Sequence, residues 1–267
     1  MPLQTEIFVE ALAKVRERRP VVHAISNWVT SGEVASALHA MGARPIMAFA
    51  PEEVKEITSK ADALVLNLGT PTPDRIEAML LAGRQANVQG HPIVFDPVGV
   101  GASRLRIESS AKILSELRIA IIRGNQAEIG SLAGMGGHLA GIDAVKGPED
   151  LYGAAEHLFG KTGAVIVATG PQDLVVSSGK KVMVENGHPM MGQVTGMGCM
   201  LTAVMGAFAA VESDPMVAAL GALAYFGLAG EQAAPRSNGP GTFKSIFIDT
   251  LFSLTSDQLR KGIRLKD

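Results

Sequence analysis

The chain has 267 residues, 47% of them hydrophobic and 19% charged, with 24 basic residues against 26 acidic ones for a formal charge of −2. This composition excludes a disordered chain and leaves no basic stripe to track a nucleic-acid backbone. The single cysteine excludes an internal disulfide framework and a cysteine-rich zinc site, and the length fits one large α/β domain over residues 1–267.

Glu6 and Glu10 precede the first basic residues, and Phe8, Ala11, Leu12 and Val15 recur at helical spacing, unlike a secretory leader. The apolar stretches fall short of the roughly 20 residues that cross a bilayer, so a cytoplasmic location is expected. Val21–Ile25 reads as a strand, Gly32–Met41 as a helix, Pro45–Phe49 as a strand and Pro51–Lys60 as a helix opened by proline and two glutamates. Ala63–Leu68 is a buried strand and Pro73–Gln89 a long helix. After the Gly90-His91-Pro92 break come strand Ile93–Phe95, a glycine-rich loop, a helix over Glu108–Leu117, strand Ile119–Ile122 and helix Asn125–Ala133. Gly134–Gly147 reads as loop, Pro148–Phe159 as helix and Ala164–Ala168 as strand. Asp173–Ser177 and Lys181–Glu185 flank Ser178-Gly179-Lys180 as a β-hairpin. From Gly196 the chain is nearly all helix, with Met197–Val211 and Met216–Gly230 forming a buried helical hairpin about Glu212–Pro215. Repeated strand–helix–strand order implies parallel strands with crossover helices, hence a three-layer α/β/α sandwich with a mostly parallel central sheet. Ligands in such folds bind beyond the carboxyl ends of the strands.

Among the loops at those ends, Val194-Thr195-Gly196-Met197-Gly198-Cys199-Met200-Leu201 turns into an apolar helix through two glycines. Bare backbone amides and a helix N-terminus suit a transferring phosphoryl group, although the same pattern also serves as a tight helix entrance with no ligand. Cys199 falls in the first helical turn, where the helix field favours thiolate. Asp96, in Phe95-Asp96-Pro97-Val98-Gly99-Val100-Gly101, and Glu128, in Arg123-Gly124-Asn125-Gln126-Ala127-Glu128, stand after successive strands. Two such carboxylates suit Mg²⁺, and Arg123 and Asn125 suit phosphate oxygens; the alternative is helix capping and a surface ion pair. Thr169-Gly170 ends another strand with a hydroxyl fit for a nucleotide phosphate, and Asn27, Met47, Gly69 and Thr70 suit the lining of a small, partly apolar pocket. Gly160-Lys161-Thr162 lacks the leading glycine of a phosphate loop, and there is no Gly-x-Ser-x-Gly elbow. The six histidines (His23, His39, His91, His138, His157 and His188) form no His-x-x-x-His pair and read as surface or satisfied core residues.

Taken together, several segments resemble the hydroxyethylthiazole kinase family of the ribokinase-like superfamily. They are Asn27-Trp28-Val29-Thr30, Gly42–Met47 with Pro51-Glu52-Glu53, Asn67–Thr70, Asp96–Ala102, Arg123–Ile129, Asn186–Pro189 and Thr195–Cys199. The resemblance spans about Val21 to Leu254. It implies a ribokinase-like fold and ATP-dependent phosphorylation of the primary alcohol of 4-methyl-5-(2-hydroxyethyl)thiazole, a thiamine-salvage step. It further implies that Met47 and Gly196 contact the thiazole with Asn27 nearby, that Arg123 and Thr169 contact ATP, and that Asp96 and Glu128 serve Mg²⁺ and phosphate. A homotrimer with acceptor sites at subunit boundaries is implied as well. Many sugar-kinase relatives carry Asp where Cys199 stands, and Met197 replaces the commoner Thr.

In the expected mechanism Mg²⁺, Arg123 and the Gly196–Cys199 amides, those of Met197 and Gly198 included, stabilise the γ-phosphoryl oxygens. Cys199 orients the acceptor hydroxyl and takes its proton late, in part as thiolate, and Met47 packs on the ring. Rival readings are a hydroxymethylpyrimidine (phosphate) or pyridoxal-type kinase of the same fold, a non-catalytic nucleotide-binding regulator, and a thiol hydrolase, which lacks an assignable base.

Overall fold

The computed structural model describes residues 5–140 and 143–267. In chain order its elements are α1 (Glu6–Arg18), β1 (Val21–Ile25), α2 (Ser31–Met41), β2 (Arg44–Ile46), α3 (Val54–Ser59), β3 (Ala63–Asn67), α4 (Pro73–Gln89), β4 (Ile93–Asp96), α5 (Arg104–Glu116), β5 (Ile121–Asn125) and α6 (Gln126–Ala133). They continue with β6 (His138–Ala140), β7 (Asp143–Lys146), α7 (Leu151–Thr162), β8 (Val165–Thr169), β9 (Asp173–Ser177), β10 (Lys180–Val184), α8 (Met197–Ala209), α9 (Pro215–Ala233), α10 (Pro240–Ser253), α11 (Ser256–Gly262) and β11 (Leu265–Lys266).

Nine of the strands form one sheet in the order β11-β10-β9-β8-β5-β4-β3-β1-β2. Pairs from β2 through β8 are parallel, and β8–β9, β9–β10 and β10–β11 are antiparallel. The inner strands are almost wholly apolar because helices cover both of their faces. Side chains alternate between the layers. Val22, Ala24, Val65, Val94, Val165 and Val167 enter the core under α1, α2, α8, α9 and α10. Ile25, Leu64, Leu66, Ile93, Phe95, Ile122 and Ile166 enter the one under α4 to α7. The three-layer α/β/α arrangement and the mostly parallel sheet are therefore as expected.

Helix α8 is buried all round and lies against β1, β3 and β4. A Cβ on its Gly206 would lie 2.5 Å from Val65 Cγ2, so glycine allows the helix to rest directly on the sheet. The 22 residues Pro215–Arg236, α9 with a following 3-10 turn, are long and apolar enough to cross a membrane, yet 89% of the apolar window is buried within the protein. The helix thus outruns the expected Met216–Gly230 stretch, and its apolarity serves the core.

Several expected boundaries shift. The second strand ends at Ile46, not Phe49, and Met47–Ala50 leave the sheet; the helix expected from Pro51 begins at Val54 after a turn. The fifth helix begins at Arg104, before the expected Glu108, because the Ser103 hydroxyl accepts from Arg106 N at its start. Its following strand runs on to Asn125, which places Arg123 and Asn125 on the strand itself. The segment expected as loop from Gly134 to Gly147 contains the β6–β7 ribbon, with Gly141 and Ile142 outside the described residues. The short strand β11, which adds an edge to β10, gives no sequence signal at all.

Candidate functional site

Because β1–β5 and β8 are parallel, their carboxyl ends fall on one edge of the sheet. Asn27 follows β1, Met47 follows β2, Asn67 ends β3, Asp96 ends β4, Asn125 ends β5 and Thr169 ends β8. Sheet register sets Asn67 beside Asp96 and Asn125 beside Thr169. The N-terminus of α8 meets this edge. Its first amides, on Met197, Gly198 and Cys199, have no acceptor within the helix.

Asp96 is fully buried, and one of its oxygens carries nearly all its contacts. Asn67 Nδ2 donates to Oδ2 at 2.9 Å, the Thr202 hydroxyl lies 2.9 Å from it, and Arg123 Nη1 stands 3.6 Å away. The other oxygen, Oδ1, is buried with no hydrogen-bond partner among the described residues. Arg123 reaches further with Nη2, which donates to Thr169 Oγ1 at 2.5 Å, and its Nε is also buried without a partner. A Cβ on Gly198 would lie 2.4 Å from Arg123 Nη1, so the second glycine of the loop makes room for the guanidinium. At Gly196 the backbone has φ +92°, a left-handed conformation that glycine adopts without steric cost, and a Cβ would press to 2.8 Å from Thr30 Cγ2.

Cys199 joins the same network through Asn27, whose Nδ2 donates to Asn67 Oδ1 at 2.9 Å and to Cys199 Sγ at 3.3 Å. The amide orientation is fixed, because Asn27 Oδ1 accepts from the backbone amides of Val29 and Thr30. Gly69 donates its amide to Asn67 Oδ1 at 3.0 Å and packs against Asn27, where a Cβ would lie 2.4 Å from Asn27 Cβ. The Thr70 hydroxyl accepts from Trp28 N. Asn27, Asn67, Gly69, Asp96, Arg123, Thr169, Gly198 and Cys199 are thus brought together.

At Cys199, where the helix end taken alone favours thiolate, burial and then the negative charge of Asp96 hold the thiol above its ordinary range, against Thr30, Asn67 and Arg123. Burial also raises the Asp96 carboxyl, although Arg123 opposes the shift. Glu128 is pushed up to about 7 by burial and by the charge of Asp96.

Glu128 performs the capping role that was the alternative for it. Oε2 accepts from Asn125 N and Oε1 from Gly99 N, each at 2.7 Å, while Asn125 Oδ1 accepts from Glu128 N at 2.8 Å. Asn125 is therefore the cap of α6, and its side-chain oxygen is already engaged. Met197 does not line the loop: it is 6% exposed and points into the core. Met47 is half-buried at the core margin. Among the described residues no group of three or more His, Cys, Asp or Glu forms a ready-made metal cage. The orphaned Asp96 Oδ1 and the nearby Glu128 instead fit Mg²⁺, which takes one or two carboxylates and otherwise keeps waters and substrate phosphates.

Sequence reasoning missed Asn67 as a site residue and missed Thr202. Each is a polar residue inside an apolar run, Ala-Leu-Val-Leu-Asn-Leu and Met-Leu-Thr-Ala-Val, and that interruption was the available signal. Of the histidines, His23 is fully buried and hydrogen-bonded, and His39, His157 and His188 are exposed; the surroundings of the His138 side chain lie outside the described residues.

Comparison with known proteins agrees with this geometry. The family model described as "Hydroxyethylthiazole kinase family" matches residues 12–257. A hydroxyethylthiazole kinase of Desulforudis audaxviator (strain MP104C) is 46% identical over 259 residues, covering 97% of this chain and 95% of its own length. The structure of a hydroxyethylthiazole kinase protein from Pyrococcus horikoshii OT3 superposes with a TM-score of 0.90 at 37% identity, covering 98% of both chains. The pyridoxal kinase of Staphylococcus aureus in complex with AMP-PCP, at TM-score 0.62 and 18% identity over 79% of this chain and 87% of its own, shares the fold. The chain belongs to the hydroxyethylthiazole kinase family.

Proposed function

We propose that this protein transfers the γ-phosphoryl group of ATP to the primary alcohol of 4-methyl-5-(2-hydroxyethyl)thiazole, a thiamine-salvage step. One observation carries the reading: the thiol of Cys199, the carboxylate of Asp96 and the guanidinium of Arg123 share a hydrogen-bonded cluster at the amino end of α8. Phosphoryl transfer needs this combination, because its loose transition state is stabilised chiefly by positioning and by charge on the transferring oxygens. Arg123 and the amides of Met197, Gly198 and Cys199 face those oxygens, and Thr169 holds Arg123 toward the nucleotide. Asn125 supports this end as the cap of α6.

Asp96 and Glu128 are the residues that would hold Mg²⁺, which supplies neutralising charge to the phosphates when bound. Asn67 and Thr202 load Asp96 Oδ2 and so leave Oδ1 as the free oxygen. Cys199 rests as a neutral thiol that positions the acceptor hydroxyl; the fraction that has first lost its own proton to solvent takes the hydroxyl proton late, when the alcohol oxygen has already bonded to phosphorus, and returns to the thiol. Asn27 orients the sulfur. Met47, Gly69, Thr70 and Gly196 line the acceptor side.

The decisive experiment measures ADP formation with Mg²⁺–ATP and a panel of hydroxymethyl and hydroxyethyl heterocycles. Turnover with the hydroxyethylthiazole and not with hydroxymethylpyrimidine or pyridoxal supports the reading. Preference for either rival alcohol redirects it, and no ADP with any of them overturns it. We also read the protein as a cytoplasmic homotrimer. Trp28 and Val29, each 63% exposed, and Phe252, 74% exposed, support self-association by offering apolar surface. Sedimentation equilibrium tests that assignment.

A further inference from the structure

A histidine in the middle of a buried parallel strand needs an account, because a polar ring placed among apolar neighbours costs free energy unless both nitrogens are used. His23 is the third residue of β1 and is 0% exposed. Alternation along the strand puts it on the same side as Ile25, in the layer that contains α3. There its two ring nitrogens reach opposite ends of one stretch of chain. Nε2 lies 3.0 Å from the carbonyl oxygen of Ala48, and Nδ1 lies 2.8 Å from Thr58 Oγ1 on α3.

The hydrogen-bonding roles follow from the partners. A carbonyl oxygen only accepts, so Nε2 carries the proton and donates to Ala48. Burial holds the imidazole pKa below its ordinary value, so the ring is neutral and Nδ1 accepts from the Thr58 hydroxyl. That hydroxyl also lies 2.7 Å from Val54 O in its own helix, so its one proton serves two acceptors.

The segment braced in this way has left the sheet at Ile46 and does not enter α3 until Val54. Within it, Ala50 O accepts from Glu53 N and Val54 N, but among the described residues no backbone amide reaches Ala48 O. The imidazole is the donor for that carbonyl. Ala48 is flanked by Met47 and by Phe49, and the Phe49 ring meets Trp28 edge-on with centroids 5.2 Å apart. The loop after β2 is thus tied at two points, by the buried imidazole to β1 and α3 and by the aromatic pair to the loop after β1.

We infer that His23 is a positioning residue for the acceptor alcohol: by holding the Ala48 carbonyl from below, it sets the height of Met47 at the acceptor pocket. The inference rests on the reading that Met47 lines that pocket. His23 touches neither substrate and acts through the main chain of its neighbour, so its loss weakens acceptor binding and spares the nucleotide side.

The test exploits the fact that asparagine and glutamine each reproduce one nitrogen of the ring. His23→Gln places an amide donor where Nε2 stands and keeps the Ala48 bond. His23→Asn places its amide where Nδ1 stands and reaches only Thr58. His23→Leu removes both contacts. Initial rates with Mg²⁺–ATP and the hydroxyethylthiazole give KM for each substrate and kcat. The expected result is an acceptor KM raised about tenfold in His23→Asn and His23→Leu, the scale of one lost hydrogen bond. His23→Gln stays within about twofold of the parent, and the ATP KM and kcat stay within about twofold in every variant.

An acceptor KM unchanged in His23→Asn, or an ATP KM that rises in step with it, overturns the inference; so does a fall in melting temperature with no split between the two KM values. Met47→Ala, measured alongside, separates the two levels of the argument. If it raises the acceptor KM while His23→Asn does not, only the role of His23 fails. If Met47→Ala leaves the acceptor KM unchanged, the assignment of the pocket itself fails, and the inference falls with it. Should His23→Leu not fold, the two amide variants still decide the matter.

Discussion

The thiol of Cys199 is half-buried and receives a hydrogen bond from Asn27 Nδ2, while the charge of Asp96 disfavours its ionisation. A neutral thiol has no useful proton affinity, so on the proposed mechanism its resting contribution is to position the hydroxyl, and the minor thiolate fraction collects the proton released late. Cys199→Ala is therefore expected to lower kcat by about 10²–10⁴, the usual range for a positioned acid–base group, with little change in the ATP KM. Steady-state kinetics check this, and a near-normal kcat removes the thiol from the mechanism. In the proposed mechanism Arg123 serves the other substrate; its Nη2 donates to Thr169 and its Nη1 stands toward Asp96. Its replacement by alanine should raise the ATP KM by at least about tenfold, because charge-assisted contacts to phosphate are lost, and should affect the acceptor KM much less.

The same chemistry depends on how each secondary element ends. Gly198 opens α8 against the Arg123 guanidinium, where a Cβ would lie 2.4 Å from Nη1. Gly198→Ala should displace the arginine and reduce kcat/KM for ATP about tenfold or more while the melting temperature stays within a few degrees, since the substitution sits on a helix that alanine favours. At the β8–β9 turn, Asp173 Oδ1 accepts from Gly170 N at 3.0 Å, and burial pushes its carboxyl up to about 6 although Arg123 opposes the shift. A raised acid binds its proton more tightly in the folded than in the unfolded chain. Stability contributed by this group is therefore full at acid pH and declines as pH climbs from about 4 through about 6. A rise of that size corresponds to at most about 3 kcal/mol, and because Asp173 is only half-buried the loss is on the order of 1 kcal/mol; Asp173→Asn should flatten that part of the melting profile.

Elements were legible in the sequence where burial is simple. The apolar strands Val21–Ile25 and Ala63–Asn67 are covered on both faces, and their runs announce it. Arg44–Ile46 was overread to Phe49 because the apolar residues that follow belong to a loop packed at the core margin. Asp96, Arg123 and the Gly196–Cys199 turn were found because strand ends of a parallel sheet select the loops to read. Asn67, Thr202 and His23 escaped because a single polar residue in an apolar run has no period. The shift of the Cys199 thiol was not legible because a rule about helix ends is local, whereas burial and the Asp96 carboxylate come from residues distant in sequence.

For the molecule as a whole, the apolar α8 and α9 form the centre of one layer, and the sheet on which α8 rests gathers six strand ends into a single active edge. The loop after β1 carries Trp28 and Val29 at the surface of that edge. Arg75 anchors that loop from below. It is 4% exposed, its Nη1 and Nη2 have no hydrogen-bond partner among the described residues, and its guanidinium carbon stands 4.5 Å from the Trp28 ring centre and 4.6 Å from that of Phe49. Cation–π attraction strengthens when the cation is desolvated, so the indole is held at a defined place although it is 63% exposed. Trp28 is also the only tryptophan in the chain. On the proposed reading a single optical gauge thus stands beside the place where the alcohol enters. Titration with the hydroxyethylthiazole should change its emission, whereas ATP alone should leave the signal nearly still. A response to nucleotide and none to the alcohol would show that the lamp hangs over the other door.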